Sequence, residues 1–314
     1  MKTGARGQSS GFRGSWVAAV AVALAAGCST PPEPQFTDAD WVSNATTGRG
    51  AYERGDFRRA ADAYARAQQR ARALDDADAL AVSAVNRATC LLADGQAQEA
   101  RTGIDEALSD ARISAPRRAE LLVAAARAEA ALGKSDEAMA RVGDALKLDP
   151  SPALKAQALL AKAGAELAKE NPAAAAKALA DGMSAKEWSR LPASLQAERA
   201  AMRASIAVAE KQPAEALARQ DEASQLWKKA GRLPDMARAL AEAGRQAQAA
   251  GDGAGACDRF YRAARSLWAQ GVQTEAIQVL EEGVEAAEQL DDEAIAKKMA
   301  ELFVTFKDGK RLEK

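Results

Sequence analysis

Three cysteines, no histidine and one glycine-rich stretch are the features of this 314-residue chain that bear most directly on chemistry. Without His, neither a Ser-His-Asp nor a Cys-His arrangement can be built, and the commonest general base at neutral pH is missing. There is no Cys-x-x-Cys and no carboxylate-rich calcium loop, so no structural metal is expected. Gly251-Asp252-Gly253-Ala254-Gly255 lacks the following Gly-Lys-Ser/Thr of a phosphate loop and reads as a turn between helices. The paired acids Glu281-Glu282 and Asp291-Asp292 read as solvated faces or helix starts. No catalytic residue, metal or cofactor is assigned. Cys28 stands apart because of what surrounds it.

Lys2, Arg6 and Arg13 form a basic leader without an acid, and Trp16 to Ala26 is an apolar run. The run is too short for the roughly 20 residues that span a bilayer but suits a secretory signal core. It closes on Leu24-Ala25-Ala26-Gly27-Cys28, which resembles the bacterial lipobox. The usual Leu three places before the cysteine is Ala25 here, with Leu24 one residue further out. The resemblance implies cleavage before Cys28 and lipidation of its thiol; an ordinary cleaved signal peptide is the alternative. Ser29 in the next place, rather than Asp, implies the outer membrane, on its periplasmic face. Ser29 to Pro34 is proline-rich, as suits an extended spacer. Removing residues 1–27 takes away three basic residues and no acid, leaving 40 basic against 44 acidic, net -4. Cys90 and Cys257 lie 167 residues apart and read as small buried fillers rather than a disulfide.

The elements that follow are helical by composition. Ala supplies roughly a quarter of the chain, and with Leu, Glu, Arg and Lys it favours helix over strand. Lys+Arg of 43 against Asp+Glu of 44 leaves a net charge of -1, which argues against nucleic acid as a partner.

One spacing recurs along the chain: a small residue, seven on a turn residue, five on Ala, four on a larger apolar residue, three on Ala. The copies are Gly48, Gly55, Ala60, Tyr64, Ala67; Ala88, Gly95, Ala100, Ile104, Ala107; and Ala126, Gly133, Ala138, Val142, Ala145. Two degenerate copies follow, Gly164, Asn171, Ala176, Ala180, Met183 and Ala204, Lys211, Ala216, Gln220, Ala223. A clear sixth is Gly244, Gly251, Ala256, Phe260, Ala263. The central alanines step by 40, 38, 38, 40 and 40. Glycine at the turn accepts the left-handed conformation that ends a helix, and Asp56 and Asp252 can cap the next one. Pro116, Pro152, Pro192 and Pro234 each precede a helical pattern, where a missing N–H costs nothing. Residues 274–289 and 292–306 read as a final helical pair. Leu302, Phe303 and Phe306 supply an apolar end to cover the last exposed core.

Gly-Asp-Phe at 55–57 with Ala60, Tyr64 and Ala67, and the third copy ending in Leu148-Asp149-Pro150, resemble the tetratricopeptide repeat (TPR). The resemblance covers about residues 41–270. It implies an all-α, right-handed superhelical solenoid of antiparallel helix pairs with a period of about 38–40, longer than the family's usual 34. An undecorated amphipathic bundle is the alternative. The organisation expected is a signal peptide at 1–27, a tether at 28–40, the solenoid at 41–306 and a tail at 307–314.

In that family the first helices of successive repeats line a concave groove for a peptide or partner helix. Carried over, the groove presents Arg49 and Tyr52, then Val85, Thr89 and Leu92, then Val123 and Arg127. Ala161, Ala165, Ser205 and Val208 follow, and Arg245 with Gln248 close it. The Lys/Asn set with which chaperone-docking members clamp a terminal carboxylate is replaced by Ala, Val, Thr and Arg. Such a lining suits an apolar or mildly acidic helix, or these arginines are merely solvated. The reading is a non-enzymatic scaffold, anchored in the membrane through Cys28, that binds other envelope proteins or peptides. A periplasmic client-holding chaperone is the alternative.

Overall fold

The computed structural model describes residues 36–290 and 292–307, all of whose regular elements are helical. Fourteen of the fifteen helices form seven antiparallel pairs: α1 (Ala39–Glu53) with α2 (Phe57–Ala73), α3 (Ala77–Ala93) with α4 (Ala97–Leu108), and α5 (Ala115–Ala131) with α6 (Ser135–Leu146). Then come α7 (Pro152–Ala168) with α8 (Pro172–Asp181), the short α9 (Ala185–Ser189), and α10 (Ala193–Ala209) with α11 (Pro213–Lys229). The last pairs are α12 (Leu233–Ala249) with α13 (Gly253–Ala269) and α14 (Gln273–Glu288) with α15 (Glu293–Lys307). Each helix packs on the one that follows it in its pair, and α3, α5 and α7 also pack side by side. The chain is thus an all-α solenoid of TPR-like helix pairs.

The pairs approach closely because a small residue on the first helix faces a large one sixteen residues later on the second. At Gly48 an added Cβ would stand 2.8 Å from the Tyr64 ring, and at Gly244 it would stand 2.9 Å from Phe260. Ile104, Val142, Phe260 and Met299 are buried fillers at the large position, opposite Ala88, Ala126, Gly244 and Gly283.

The fourth copy of the sequence pattern must be moved by one residue. Ala176 and Ala180 are exposed, whereas Ala175 and Leu179 are buried. Asn171 is not the turn residue but the N-cap of α8, accepting from the Ala174 amide at 3.2 Å. The turn residue is Glu170, at φ 57°. The copy in the structure is Ala163, Glu170, Ala175, Leu179, Gly182, and in that frame it is no longer degenerate. The turn needs a left-handed backbone, which glycine supplies at residues 55, 95, 133 and 251. Glu170 and Lys211 adopt it without being glycine, so a search for glycine alone misplaces the fourth turn.

Asp56 and Asp252 cap α2 and α13 through the Arg59 and Gly255 amides. Pro116 and Pro234 stand in the first turns of α5 and α12, and Pro192 is the N-cap of α10. Cys90 and Cys257 are free and buried, and burial pushes the Cys90 thiol up to about 12, so neither is poised for nucleophilic chemistry. Trp188 and Trp227 plug the cores beneath α8–α10 and α10–α12. At the C-terminal end Phe306 stacks on Trp268, ring centroids 4.2 Å apart. At the other end Trp41 packs on Phe36 and donates its indole N–H to the Ser83 hydroxyl.

A fully buried carboxylate ties the second pair to the third. Glu129 on α5 accepts from Arg101 of α4 at 2.8 Å and from Arg141 of α6 at 3.3 Å. Two guanidinium groups offset the cost of taking that charge out of water.

Two predictions follow from this packing. Gly48→Val should cost about 1–3 kcal/mol by forcing the Tyr64 ring out of place. Chemical denaturation of the single variant and of Gly48→Val with Tyr64→Ala checks it: the second change should cost less in the valine background than in the parent. At the N-terminus, hydrogen bonds from Arg70, then from the Trp41 amide, hold Asp38 down at about 2 from an ordinary 3.8. Its contribution is therefore present above pH 3.8 and lost as pH falls toward 2. The Trp41 indole resonance should report loosening in that window, and Asp38→Asn should abolish the pH dependence.

Candidate protein-binding face

The first helices of each pair carry the residues expected to line a groove, and the structure sorts them into three groups. Leu92, Val123, Ala161 and Ala165 are buried in contacts between helices and do not line an open surface. Val85 packs on the same N-terminal core, and Thr89 turns its hydroxyl back onto the Val85 carbonyl at 2.9 Å. Ser205 does likewise to Ala201 at 3.2 Å, and Val208 is half-buried. The neighbouring first helices α3, α5, α7 and α10 pack side by side in this array. Arg245 and Gln248 are exposed, but Arg245 is held by Glu282 at 2.7 Å and Glu242 at 2.6 Å, and Gln248 bonds Gln289. Arg49 is exposed.

The third group is Tyr52 and Arg127, which the winding of the solenoid brings into contact with the far end of the chain. Tyr52, at the end of α1, lies under the Arg232 guanidinium, 5.7 Å from the ring centroid. Phe57, at the start of α2, lies under Arg238 of α12 at 5.5 Å. In the turn between them, a Cβ added at Gly55 would be 3.6 Å from Arg238 Nη2 and 3.7 Å from the Val272 methyl groups. The first helix pair therefore touches the sixth and the start of the seventh, across about 180 residues of sequence. Stacking of neighbours alone would leave these ends apart; superhelical winding returns them.

The seam is polar. Arg232 pairs with Asp235 at 2.6 Å, Arg238 reaches Asp235 at 3.3 Å, and Arg238 bonds Glu275 of α14 at 2.8 Å. Burial pulls the Arg238 guanidinium down, but the hydrogen bond and charge of Glu275 outweigh it and hold it above its ordinary value. Deeper in, Glu198 of α10 is pushed well above the usual carboxylate range by burial, although Arg127 and Arg232 oppose the shift. Burial pushes Arg127 down, opposed by Glu198 and Tyr52. Tyr52 is raised by burial and by Asp235. Residues from α1, α5, α10 and α12 thus share one desolvated charge cluster on the inner face. The sequence reading found Tyr52 and Arg127 but missed Glu198, Arg232, Asp235 and Arg238, because no spacing rule links residues that meet through a superhelical turn.

Cavities of about 120 Å³ and about 100 Å³ lie away from this cluster. The first sits between α2, α3 and the α4–α5 connection, among arginines and aspartates already paired with one another. Among the described residues, no group of three or more Cys, Asp or Glu is gathered so as to hold a metal ion. No helix among them is long and apolar enough to cross a membrane. Cys28 and the signal and tether expectations lie outside the described residues, as does the tail beyond residue 307.

Comparison with known proteins finds likeness of fold without likeness of sequence. No family model matches the chain, and no curated protein sequence does. The crystal structure of the APC/C hetero-tetramer Cut9-Hcn1 is similar over 86% of this chain and 50% of that chain, with a TM-score of 0.52 and 14% identity. This chain thus spans about half the length of that relative. The TPR2AB-domain:pHSP90-complex of yeast Sti1 aligns over 85% of this chain and 98% of that chain, at a TM-score of 0.32 and 14% identity. The first likeness is one of helical architecture, and the second is too slight to argue from.

A seam of ion pairs and cation–π contacts should open by charge reversal. With dyes on Arg54→Cys and Gln273→Cys in a Cys28→Ala background, Arg238→Glu should lengthen the dye separation while helix content stays constant. Salt at about 1 M, where screening acts within about 3 Å, should reproduce part of the change in the unreversed chain. A separation indifferent to both would mean that apolar packing elsewhere sets the winding.

Proposed function

We propose that this chain is a non-enzymatic, lipid-anchored scaffold on the periplasmic face of the outer membrane. In this reading it holds partner proteins of an envelope assembly through the inner face of its solenoid. The anchor rests on Leu24 to Cys28 behind a basic and apolar leader, and on the proline-rich run that separates Cys28 from the first helix at Ala39. A thiol carrying several acyl chains is a stable anchor, since a single chain binds membranes only marginally.

The binding part of the reading is carried by the inner charge cluster of Tyr52, Arg127, Glu198, Arg232 and Asp235. A surface that existed only to complete the fold would be better served by aliphatic packing, because burying charges costs more than their attraction returns unless they are fully hydrogen-bonded. Glu198 Oε1 is buried without a hydrogen-bond partner. A partner segment that supplies donors there and replaces the seam contacts would recover that cost. Binding would therefore be coupled to opening of the seam, and its apparent affinity reduced by the fraction of molecules that are open.

Cross-linking in living cells followed by purification and identification of what accompanies the chain tests the scaffold. One envelope complex in fixed ratio is the expected result. A diffuse set of secreted proteins would replace the scaffold with a client-holding chaperone. Cys28→Ala should leave the helix content unchanged and shift the protein from the membrane to the soluble fraction; an unchanged partition would remove the anchor from the reading.

A further inference from the structure

The cavity of about 100 Å³ between α9, α10 and α11 is lined by more hydrogen-bond donors than the protein satisfies. Its walls are Trp188 and Ser189 of α9, Gln196, Arg199 and Arg203 of α10, and Glu222 of α11, with Ala185 and Ala200 completing them. Trp188 is almost wholly buried, at 1% exposure, yet its indole Nε1–H has no acceptor. Arg199 lies over the Trp188 ring, 4.8 Å from its centroid, and its own buried Nε–H also has no acceptor. Two orphaned donors on one cavity are costly, since each buried unsatisfied group carries its full desolvation penalty.

The charges around the cavity are equally unbalanced. Among the described residues no carboxylate stands within ion-pair distance of Arg199 or Arg203, and the one acid on the wall, Glu222, is bonded to Arg219 at 2.8 Å. Burial, then the neighbouring positive charge of Arg203, pushes the Arg199 guanidinium below its ordinary value. The rim residues Ala185 and Ser189 are exposed, so the cavity reaches the surface. It lies apart from the inner-face cluster and depends on α9, a helix outside the seven pairs.

We propose that this cavity is a binding site for a side-chain carboxylate, an Asp or Glu presented by a partner protein. A carboxylate in the cavity supplies the counter-charge that Arg199 and Arg203 lack, and a small movement of the Arg199 side chain would bring its oxygens to the enclosed Trp188 and Arg199 donors. The carboxylate is small enough for the space, and as a monoanion it meets less repulsion from Glu222 than a phosphate does. The partner as the source of the acid rests on the scaffold reading above; the carboxylate site itself does not.

The ¹⁵N–¹H resonance of the Trp188 indole in the full-length chain, assigned by its loss in Trp188→Phe, reads the site directly. Acetyl-Gly-Glu-Gly-amide is the probe, with acetyl-Gly-Gln-Gly-amide as its neutral control. The acidic peptide should move the resonance saturably and the neutral one should not. Arg203→Gln should weaken the effect by about tenfold, the loss of one charge-assisted hydrogen bond, while Arg190→Gln leaves it alone. Arg203 is not fully buried, so its substitution spares the fold, and an unchanged spectrum elsewhere verifies this. No saturable shift, or an equal shift with chloride, would make the cavity a water-filled space and overturn the proposal. Tighter binding of inorganic phosphate would overturn the choice of carboxylate. Peptide binding without any cross-linked partner would uphold the pocket and sink the scaffold, whereas a captured partner with no peptide response would do the reverse.

Discussion

The closeness of two helix axes is the constraint on which this structure rests. Alanine and glycine on the first helix of each pair leave room for one large side chain from the second, sixteen residues on. Tyr64, Ile104, Val142, Leu179, Phe260 and Met299 each fill one such space. Because the gap is small and the filler large, the contact fixes both separation and register, since a slip would drive the filler into backbone. An alanine-rich interior buries modest area per residue, but its side chains give up almost no rotamer freedom on packing. Sparse aromatic content is thus consistent with a stable array.

Repetition of that unit has a consequence no single pair contains. Small rotations between pairs accumulate until α1 and α2 meet α12 and the turn before α14. A solenoid is ordinarily held only by neighbour contacts. Here a long-range seam is added, and its chemistry differs from that of the array. The array is held by apolar fit, whereas the seam is held by guanidinium groups over Tyr52 and Phe57 and by carboxylates at 235 and 275. Apolar fit is insensitive to salt and nearly all-or-none. Charged contacts are graded and screened, so the closure is the part of the molecule whose stability should depend on salt.

The two sites of interest share one physical mark. At Glu198 on the inner face and at Trp188 and Arg199 beside α9, polar groups are withdrawn from water without being matched within the chain. Glu129 is partly matched: two arginines from the helices on either side grip its Oε1, while its Oε2 has no hydrogen-bond partner. Glu129 has two ion-pair partners for its charge, whereas Arg199 has none among the described residues. Where partners are missing, an external ligand has something to provide.

Much of the architecture was written in local patterns. The small–large spacing, the glycines at residues 55, 95, 133 and 251 and the Asp56 and Asp252 caps depend on residues a few places apart, so helix pairs and their period follow from sequence alone. The leader, Cys28 and the absence of histidine are likewise sequence properties. The fourth copy slipped by one residue because Glu170 takes a backbone conformation that glycine usually signals. Of the residues expected to line a groove, Tyr52 and Arg127 belong to the charge cluster at the seam. Leu92 on α3 and Val123 on α5 were expected on the same face but are buried by neighbours whose angle no one-dimensional pattern specifies. Tertiary structure alone decided that residue 52 meets residue 232, because superhelical pitch is a sum of small rotations fixed by packing, and sequence distance carries no trace of it.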